Sequence, residues 1–294
     1  MILSRLVLGT ARIAGGAEAV ALIRSGLDTG ICHIDTAPSY GMGTAESIVG
    51  EALAGFDQVR VTTKLGSARP ALPWLRTLAR RLKRSVVSAV EPAADFAPTS
   101  ISEPSGNDFT LAAMTQSLEL SRARLGRVDD LLLHDISLPE VTHLVLANLT
   151  KLAGTVGAVP GYAGYAQWDP ALDKAFSAGM IAQCAPDPGW LTGLIPAPSA
   201  RSLRLHSLAK TGLAVAANDL RFAESLDRVA ATVTARDQLT ARIAALYALA
   251  AERLPTARLL IASSRRDRLD AVLAAIAAID QSGQAGEIAA QFKA

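Results

Sequence analysis

Short apolar runs alternate with longer stretches of helical spacing along most of the 294 residues. LSRLVLGTARI (3–13) is apolar until Thr10 and Arg12, and behind it Ala19, Leu22, Ile23 and Leu27 recur at helical spacing. This predicts a strand followed by a helix that Gly30 closes. ICHID is the next strand, and GTAESIVGEALAG (43–55) the next helix, with Thr44 in the N-cap place. VRVTTK is the third strand. From Asp108, the expected cap of its helix, the alternation runs through DFTLAAMTQSLELSRARLG, VDDLLLHD, VTHLVLANLTKLAGTVG and GAVPGYAGY. DPALDKAFSAGM follows as a helix opened by Asp169 and Pro170, then IAQCAPD as strand six and GLAVAAND as strand seven. RDQLTARIAALYALAAERL is a long helix, ARLLIASS strand eight and RDRLDAVLAAIAAID the closing helix. Eight strands, nearly all followed by a helix, predict an α/β fold of the (β/α)8 TIM-barrel type.

One barrel of this type takes about 250 residues, so residues 1–294 are expected to form a single domain. The rhythm breaks from Gly66 to Asn107, an Ala-, Pro- and Ser-rich stretch too long for an ordinary connection. It is read as an insertion after strand three. Within it PWLRTLARRLKRS sets Trp74, Leu75, Leu78 and Leu82 on one helical face, with Arg76, Arg80, Arg81, Lys83 and Arg84 around them. A helix packed on the barrel, a basic lid over its mouth and a membrane-surface helix all fit that pattern.

Composition narrows the function classes. Half of the residues are hydrophobic and 4% aromatic, which suits helices around a buried sheet. With 29 basic and 27 acidic residues the formal net charge is +2, so no global field favours nucleic acid or an anionic membrane. Cys32 and Cys184 stand far apart, MILSRLVLG lacks the parts of a secretory leader, and no apolar run reaches the length of a membrane span. A cytoplasmic protein is expected.

Three consecutive strands end on ionisable residues. Asp35 ends strand two and Tyr40 follows in its loop, Lys64 ends strand three, and His134 ends strand four. Each has an ordinary explanation alone: a turn-capping Asp, a surface Tyr, a solvated Lys, a hydrogen-bonded core His. Together, at the C-terminal ends of neighbouring barrel strands, they occupy the place where such barrels carry their active sites. Four His and two scattered Cys offer no metal-ligand spacing.

DTAPSYGMGTAESIVGEAL resembles the aldo-keto reductase signature, in which Asp-Thr-Ala is followed by Tyr-Gly, a Glu and Gly-Glu-x-Leu. SRARLGRVDDLLLHD is similar to the second signature of that family, which leads to its catalytic His, and VTTKLG is similar to the strand that carries its lysine. The likeness runs from Gly9 to about Ile276, with 66–107 outside it. It implies an NADPH-dependent oxidoreductase reducing an aldehyde or ketone, or running the reverse oxidation. Tyr40 would be the general acid, Lys64 would lower its pKa, Asp35 would hold the lysine, and His134 would bind the carbonyl oxygen. It also implies cofactor contacts from Thr10, from Gln183 to the carboxamide, and from Ser264, Arg265 and Arg268 to the adenosine phosphate. An arginine fork favours NADPH over NADH.

Several positions depart from the family pattern. Ala163 and Gly164 stand for Ser-Asn, Ala262 for Gly, Val272 for Asn, and Ala217, Asn218 and Asp219 for an aromatic residue and Ser-Pro on strand seven. These departures keep open a nucleotide-sensing or non-catalytic binding protein on the same barrel. A lyase using Lys64 as a Schiff-base amine is a third reading. The expected partner is a small carbonyl compound. Arg201, Arg204, His206 and Lys210, read as a basic connection over the mouth beside the insertion, favour an anionic one.

Overall fold

Parallel pairing runs through eight strands and closes on itself. The computed structural model describes residues 1–13, 15–68, 106–196, 198 and 202–292. The strands are β1 (Leu6–Gly9), β2 (His33–Asp35), β3 (Arg60–Leu65), β4 (Asp130–His134), β5 (Val159–Gln167), β6 (Ile181–Ala185), β7 (Ser202–Leu205) and β8 (Arg258–Ile261). They form a closed barrel in sequence order, with β8 returning to β1 at Leu6↔Leu259 through Leu8↔Ile261. Closure leaves no free sheet edge and sets every strand's C-terminal end at one mouth.

The helices follow the hydrophobic spacing. In α1 (Ala17–Asp28) the buried residues include Ala19, Leu22, Ile23 and Leu27, the stripe expected from sequence. After it come α2 (Ala45–Ala52), α3 (Leu111–Leu125), α4 (His143–Val156), α5 (Pro170–Lys174), α6 (Pro188–Thr192), α7 (Leu208–Asn218), α8 (Leu220–Ala230), α9 (Gln238–Arg253), α10 (Arg266–Ser282) and α11 (Ala285–Ala290). The main hydrophobic cluster joins these helices to the outer face of the sheet. Among the described residues no helix is long and apolar enough to cross a membrane.

Three local expectations are corrected. GLAVAAND is not strand seven: Leu208–Asn218 is helix, and the strand is Ser202–Leu205. Leu, Ala and Val runs are ambiguous between a buried strand and a helix, and alanine resolves this one toward helix. The true strand is four residues long and carries an inward Arg204, so no apolar run announces it. Ala217, Asn218 and Asp219 therefore lie at the end of α7, with Asp219 capping α8 through Phe222 N at 3.1 Å. Asp108 is not the cap of α3; Thr110 is, and Asp108 Oδ1 instead accepts from Thr110 N at 2.9 Å. Thr44 precedes α2, but its hydroxyl donates to Gly41 O at 2.7 Å rather than accepting a cap hydrogen bond.

The long connection after β3 leaves and returns at one point. Asp108 N donates to Gly66 O at 2.9 Å. Gly66 holds φ +100°, and a Cβ there would lie 2.1 Å from the Phe109 ring, so both the turn and the packing require glycine. The basic helix read over Trp74–Arg84 and most of the 66–107 insertion fall outside the described residues.

The barrel interior is polar at its N-terminal end. His33, Asp130 and Thr62, near the starts of β2, β4 and β3, meet Arg204, which reaches across from β7. Asp130 Oδ2 takes Arg204 Nη2 at 2.9 Å, Thr62 Oγ1 at 3.1 Å and His33 Nε2 at 3.0 Å, while Oδ1 takes Arg60 Nη2 at 2.8 Å. Arg204 Nη1 also donates to Thr62 Oγ1 at 2.7 Å. Arg204 is thus buried inside the barrel, which corrects its expected place in a basic loop over the mouth; Arg201 lies outside the described residues. Burial opposes the Asp130 charge, but His33 and Arg204 together hold its carboxyl far below the ordinary 3.8. Such a pair is costly to break because a buried charge is left uncompensated.

Asp130→Asn is expected to destabilise the protein by about 3–5 kcal/mol at pH 7 in denaturant unfolding. Because the folded-state pKa is depressed, the contribution is complete above the ordinary 3.8 and is lost as pH falls below it. The gap between wild type and variant should therefore narrow below about pH 4 and stay constant above it.

Candidate active site

Interior-facing residues alternate along each strand, so the site grows from every second position of β2, β3 and β4. On β2 the inward pair is His33 and Asp35, on β3 Thr62 and Lys64, on β4 Asp130, Leu132 and His134. The first members form the floor described above. Leu132, Ala163 and Ile181 form a small apolar cluster separate from the main core. Asp35, Lys64 and His134 face the mouth.

Lys64 is fully buried, and its ammonium meets three acceptors: Asp35 Oδ1 at 2.7 Å, Asp35 Oδ2 at 2.8 Å and Thr36 O at 2.9 Å. An ammonium has three N–H donors, so all are committed. Burial pulls its pKa down and Asp35 pulls it back up. Thr10 holds Asp35 in place, its N and Oγ1 both reaching Asp35 O at 3.0 Å.

Tyr40 sits in a tight turn, Tyr40–Gly43, where Gly41 and Met42 take φ of 56° and 58°. Its ring faces Lys64, with Nζ 4.5 Å from the ring centroid, a cation–π approach. The same ring meets His134 edge-on, centroids 5.4 Å apart at 79°. Burial, then the charges of Asp35 and Asp135, push the phenol well above its ordinary 10. This reverses the direction expected from the sequence. The main cause is burial, which disfavours the phenolate, and the two carboxylates add to it.

His134 Nδ1 lies 2.8 Å from Ser67 Oγ, which lies 3.3 Å from Ser39 Oγ. Burial first, then Lys64 and His206, hold its pKa down to about 3, so the imidazole is neutral in the physiological range. The tautomer in which Ser67 Oγ donates to Nδ1 places the ring proton on Nε2, the nitrogen toward Asp135. Asp135 follows with φ 48°, its Oδ2 3.6 Å from His134 Nε2.

The residues expected to hold a cofactor lie at the same end of the barrel. Gln183 is buried inside β6, and its Oε1 has no hydrogen-bond partner among the described residues. A buried acceptor left unpaired costs about 1–3 kcal/mol, so Oε1 is open to a hydrogen-bond donor. Ser264 follows β8, and Arg265 precedes α10, whose N-terminus is favourable for an anion. The Arg265 guanidinium is fastened to Asp267, Nε to Oδ1 at 3.0 Å and Nη2 to Oδ2 at 2.7 Å. Arg268 is half-buried on the first turn of α10. The structure thus brings Asp35, Tyr40, Lys64 and His134 into one cluster, while Thr10, Ser264, Arg265 and Arg268 sit at the ends of the adjoining β1 and β8.

Two residues at the mouth were not singled out for this role from sequence. With β7 placed at 202–205, the residue that follows it is His206, whose Nε2 lies 2.9 Å from Gly164 O. Ala217 is exposed on α7, so its lack of an aromatic ring says nothing about the site. Asp135 is the other; its only signal was the His-Asp pair that ends VDDLLLHD.

The chain is similar to known proteins at three levels. The model of the aldo/keto reductase family matches residues 5–182. Aldo-keto reductase YhdN of Bacillus subtilis (strain 168) is 43% identical over 81 residues, which cover 24% of this chain and 23% of that protein. Solved structures share the fold: glycerol dehydrogenase AKR11B4 from Gluconobacter oxydans has a TM-score of 0.64 at 18% identity, covering 98% of this chain and 92% of that one. An aldo-keto reductase from Klebsiella pneumoniae in complex with NADPH has a TM-score of 0.56 at 19% identity, covering 97% and 90%. Because the family model spans well over half of its residues, the chain belongs to the aldo/keto reductase family, whose members are NADP-dependent oxidoreductases.

Proposed function

We propose that the protein reduces an aldehyde or ketone with NADPH, or runs the reverse oxidation, at the mouth built by Asp35, Tyr40, Lys64 and His134. The observation that carries this reading is the meeting of a phenol, a buried ammonium and a neutral imidazole at the ends of three adjacent strands. NADPH, when bound, supplies the hydride. Gln183 would hold its carboxamide through the unpaired Oε1, and Ser264, Arg265 and Arg268, with the α10 N-terminus, its adenosine phosphate.

The residues then divide the proton chemistry. His134 donates from Nε2 to the substrate oxygen, orienting it and binding the negative charge that develops there. Tyr40 gives up its phenolic proton to the same oxygen. Its raised pKa keeps that proton in place across the working range, and the phenolate left behind faces Lys64 at 4.5 Å. Asp35 fixes the lysine so that this charge is always at the same place. A lyase is disfavoured, because all three N–H bonds of Lys64 are committed and its nitrogen is fully buried. The sensor reading loses its main support with the new place of Ala217.

Tyr40→Phe is expected to lower kcat for aldehyde reduction by about 100- to 10,000-fold while NADPH still quenches the protein fluorescence. Full turnover in that variant would remove Tyr40 as the acid. Gln183→Leu is expected to weaken NADPH binding by about tenfold, read by the same quenching, since it removes an acceptor and leaves the barrel packed. The pH profile of reduction should show a single break near 6 between pH 5 and 8, where Asp135 gains a proton and relieves Tyr40. No break from His134 belongs in that window, because it titrates at about 3.

A further inference from the structure

Asp135 enters the chemistry above only through its charge, yet its side chain is built into the mouth. The residue takes φ 48°, a left-handed conformation uncommon for a side-chain-bearing residue. Two contacts hold it there: Asp135 N donates to Ala163 O at 2.7 Å, and Asn107 Nδ2 donates to Asp135 O at 3.2 Å. Strain of this kind persists where the surroundings over-determine it, and it is concentrated at functional sites. Its effect is to turn the carboxylate back over His134, with Oδ2 3.6 Å from Nε2.

That distance is too long for a hydrogen bond, and His134 is neutral, so the contact is not an ion pair. Among the described residues the carboxylate accepts no hydrogen bond. One third of the side chain is open to solvent at the mouth. The Lys64 charge favours the Asp135 carboxylate, but burial outweighs it, and all of the lysine's hydrogen bonds go to Asp35 and Thr36; burial also keeps His206 below the ordinary imidazole range. An acceptor with free lone pairs therefore stands beside the nitrogen that holds the substrate oxygen. The groups facing it are His134, Tyr40 and Lys64.

We propose that Asp135 is a specificity-determining residue that accepts a hydrogen bond from a hydroxyl group next to the substrate carbonyl and excludes substrates carrying a carboxylate there. The inference rests on the carbonyl-reductase reading. It assigns the substrate class as α-hydroxy carbonyl compounds, against the anionic ligand that the basic stretches of the sequence favoured. The carboxylate's position sets the sign beside the reacting carbon. Burial pushes the Asp135 carboxyl up to about 6, so its charged form is under-solvated and gains from a hydroxyl donor.

The test is NADPH oxidation by the full-length protein with propanal, 2-hydroxypropanal and glyoxylate. These probes carry hydrogen, hydroxyl and carboxylate around the same reacting group. Asp135→Asn removes the charge and tolerates the left-handed backbone, and Asp135→Gly removes the side chain while relaxing the strain. For wild type, kcat/KM for 2-hydroxypropanal should exceed that for propanal by about tenfold or more. In Asp135→Gly that ratio should fall toward one, mainly through KM. In Asp135→Asn the ratio of glyoxylate to propanal should rise by about tenfold. Ratios that stay fixed in both variants, with turnover present, overturn the role of Asp135 and leave the reductase reading standing. Absence of turnover with all three aldehydes in wild type overturns the reductase reading and the inference with it.

Discussion

The burial of one ammonium group organises the mouth of this barrel. Lys64 has no contact with solvent, and a charge so placed is tolerated only because Asp35 and the Thr36 carbonyl take all of its donors. Much else follows from that arrangement. Thr10 must clamp the end of β2, because the carboxylate cannot drift without stranding the lysine. The Tyr40 ring lies over a cation whose hydrogen bonds are already made, so the interaction is with the ring face and not a direct hydrogen bond. His134, facing the same charge in a dry setting, cannot become cationic and is left as a neutral donor.

The two ends of the barrel interior treat charge differently. At the floor the Asp130 carboxylate is paired on both oxygens by Arg60, Arg204 and His33, while His33 Nδ1 and Arg204 Nε have no hydrogen-bond partner among the described residues. At the mouth Asp135 and Gln183 keep acceptors that are unpaired among the described residues. Leu132, Ala163 and Ile181 form the thin apolar layer associated with the interior, distinct from the larger core around the sheet. Arg204 also ties β7 to β3 and β4 across the interior, so the second half of the chain, beyond the reach of the family model, is joined by ions to the first.

How much of this could be read from the sequence depended on whether a residue's neighbours lie nearby in the chain. Seven of the eight strands were legible, because each carries an apolar run bounded by turn residues, and Asp35, Tyr40, Lys64 and His134 were legible because they break those runs at their ends. β7 was hidden, since a four-residue strand with a buried arginine has no apolar signature, and an alanine-rich helix just beyond it imitated one. The error carried over to Ala217 and Asp219 and hid the place of His206 directly after a barrel strand. The floor cluster was hidden because its members come from four strands. Its trace in the sequence was the alternation of polar residues within buried strands, His33 with Asp35 and Thr62 with Lys64, which a sheet packed on both faces by hydrocarbon would not contain. The direction of the Tyr40 shift was out of reach too, since it turns first on how deeply the ring is buried and then on two carboxylates brought to it by the fold.

The pinch between Gly66 and Asp108 bears on how such a protein can change over time. Backbone joins backbone there, and Phe109 seals the junction, so β3 and α3 are held by contacts that do not involve the forty or so residues in between. Closing a loop costs only about 0.6 kcal/mol more for each doubling of its length, and here the closure is made at the base. The site thus acts as a graft point. Segments of different length and character can be exchanged between its two ends without altering strand register, provided that Ser67, which bonds His134, and Asn107, which bonds the His134 and Asp135 carbonyls, are kept.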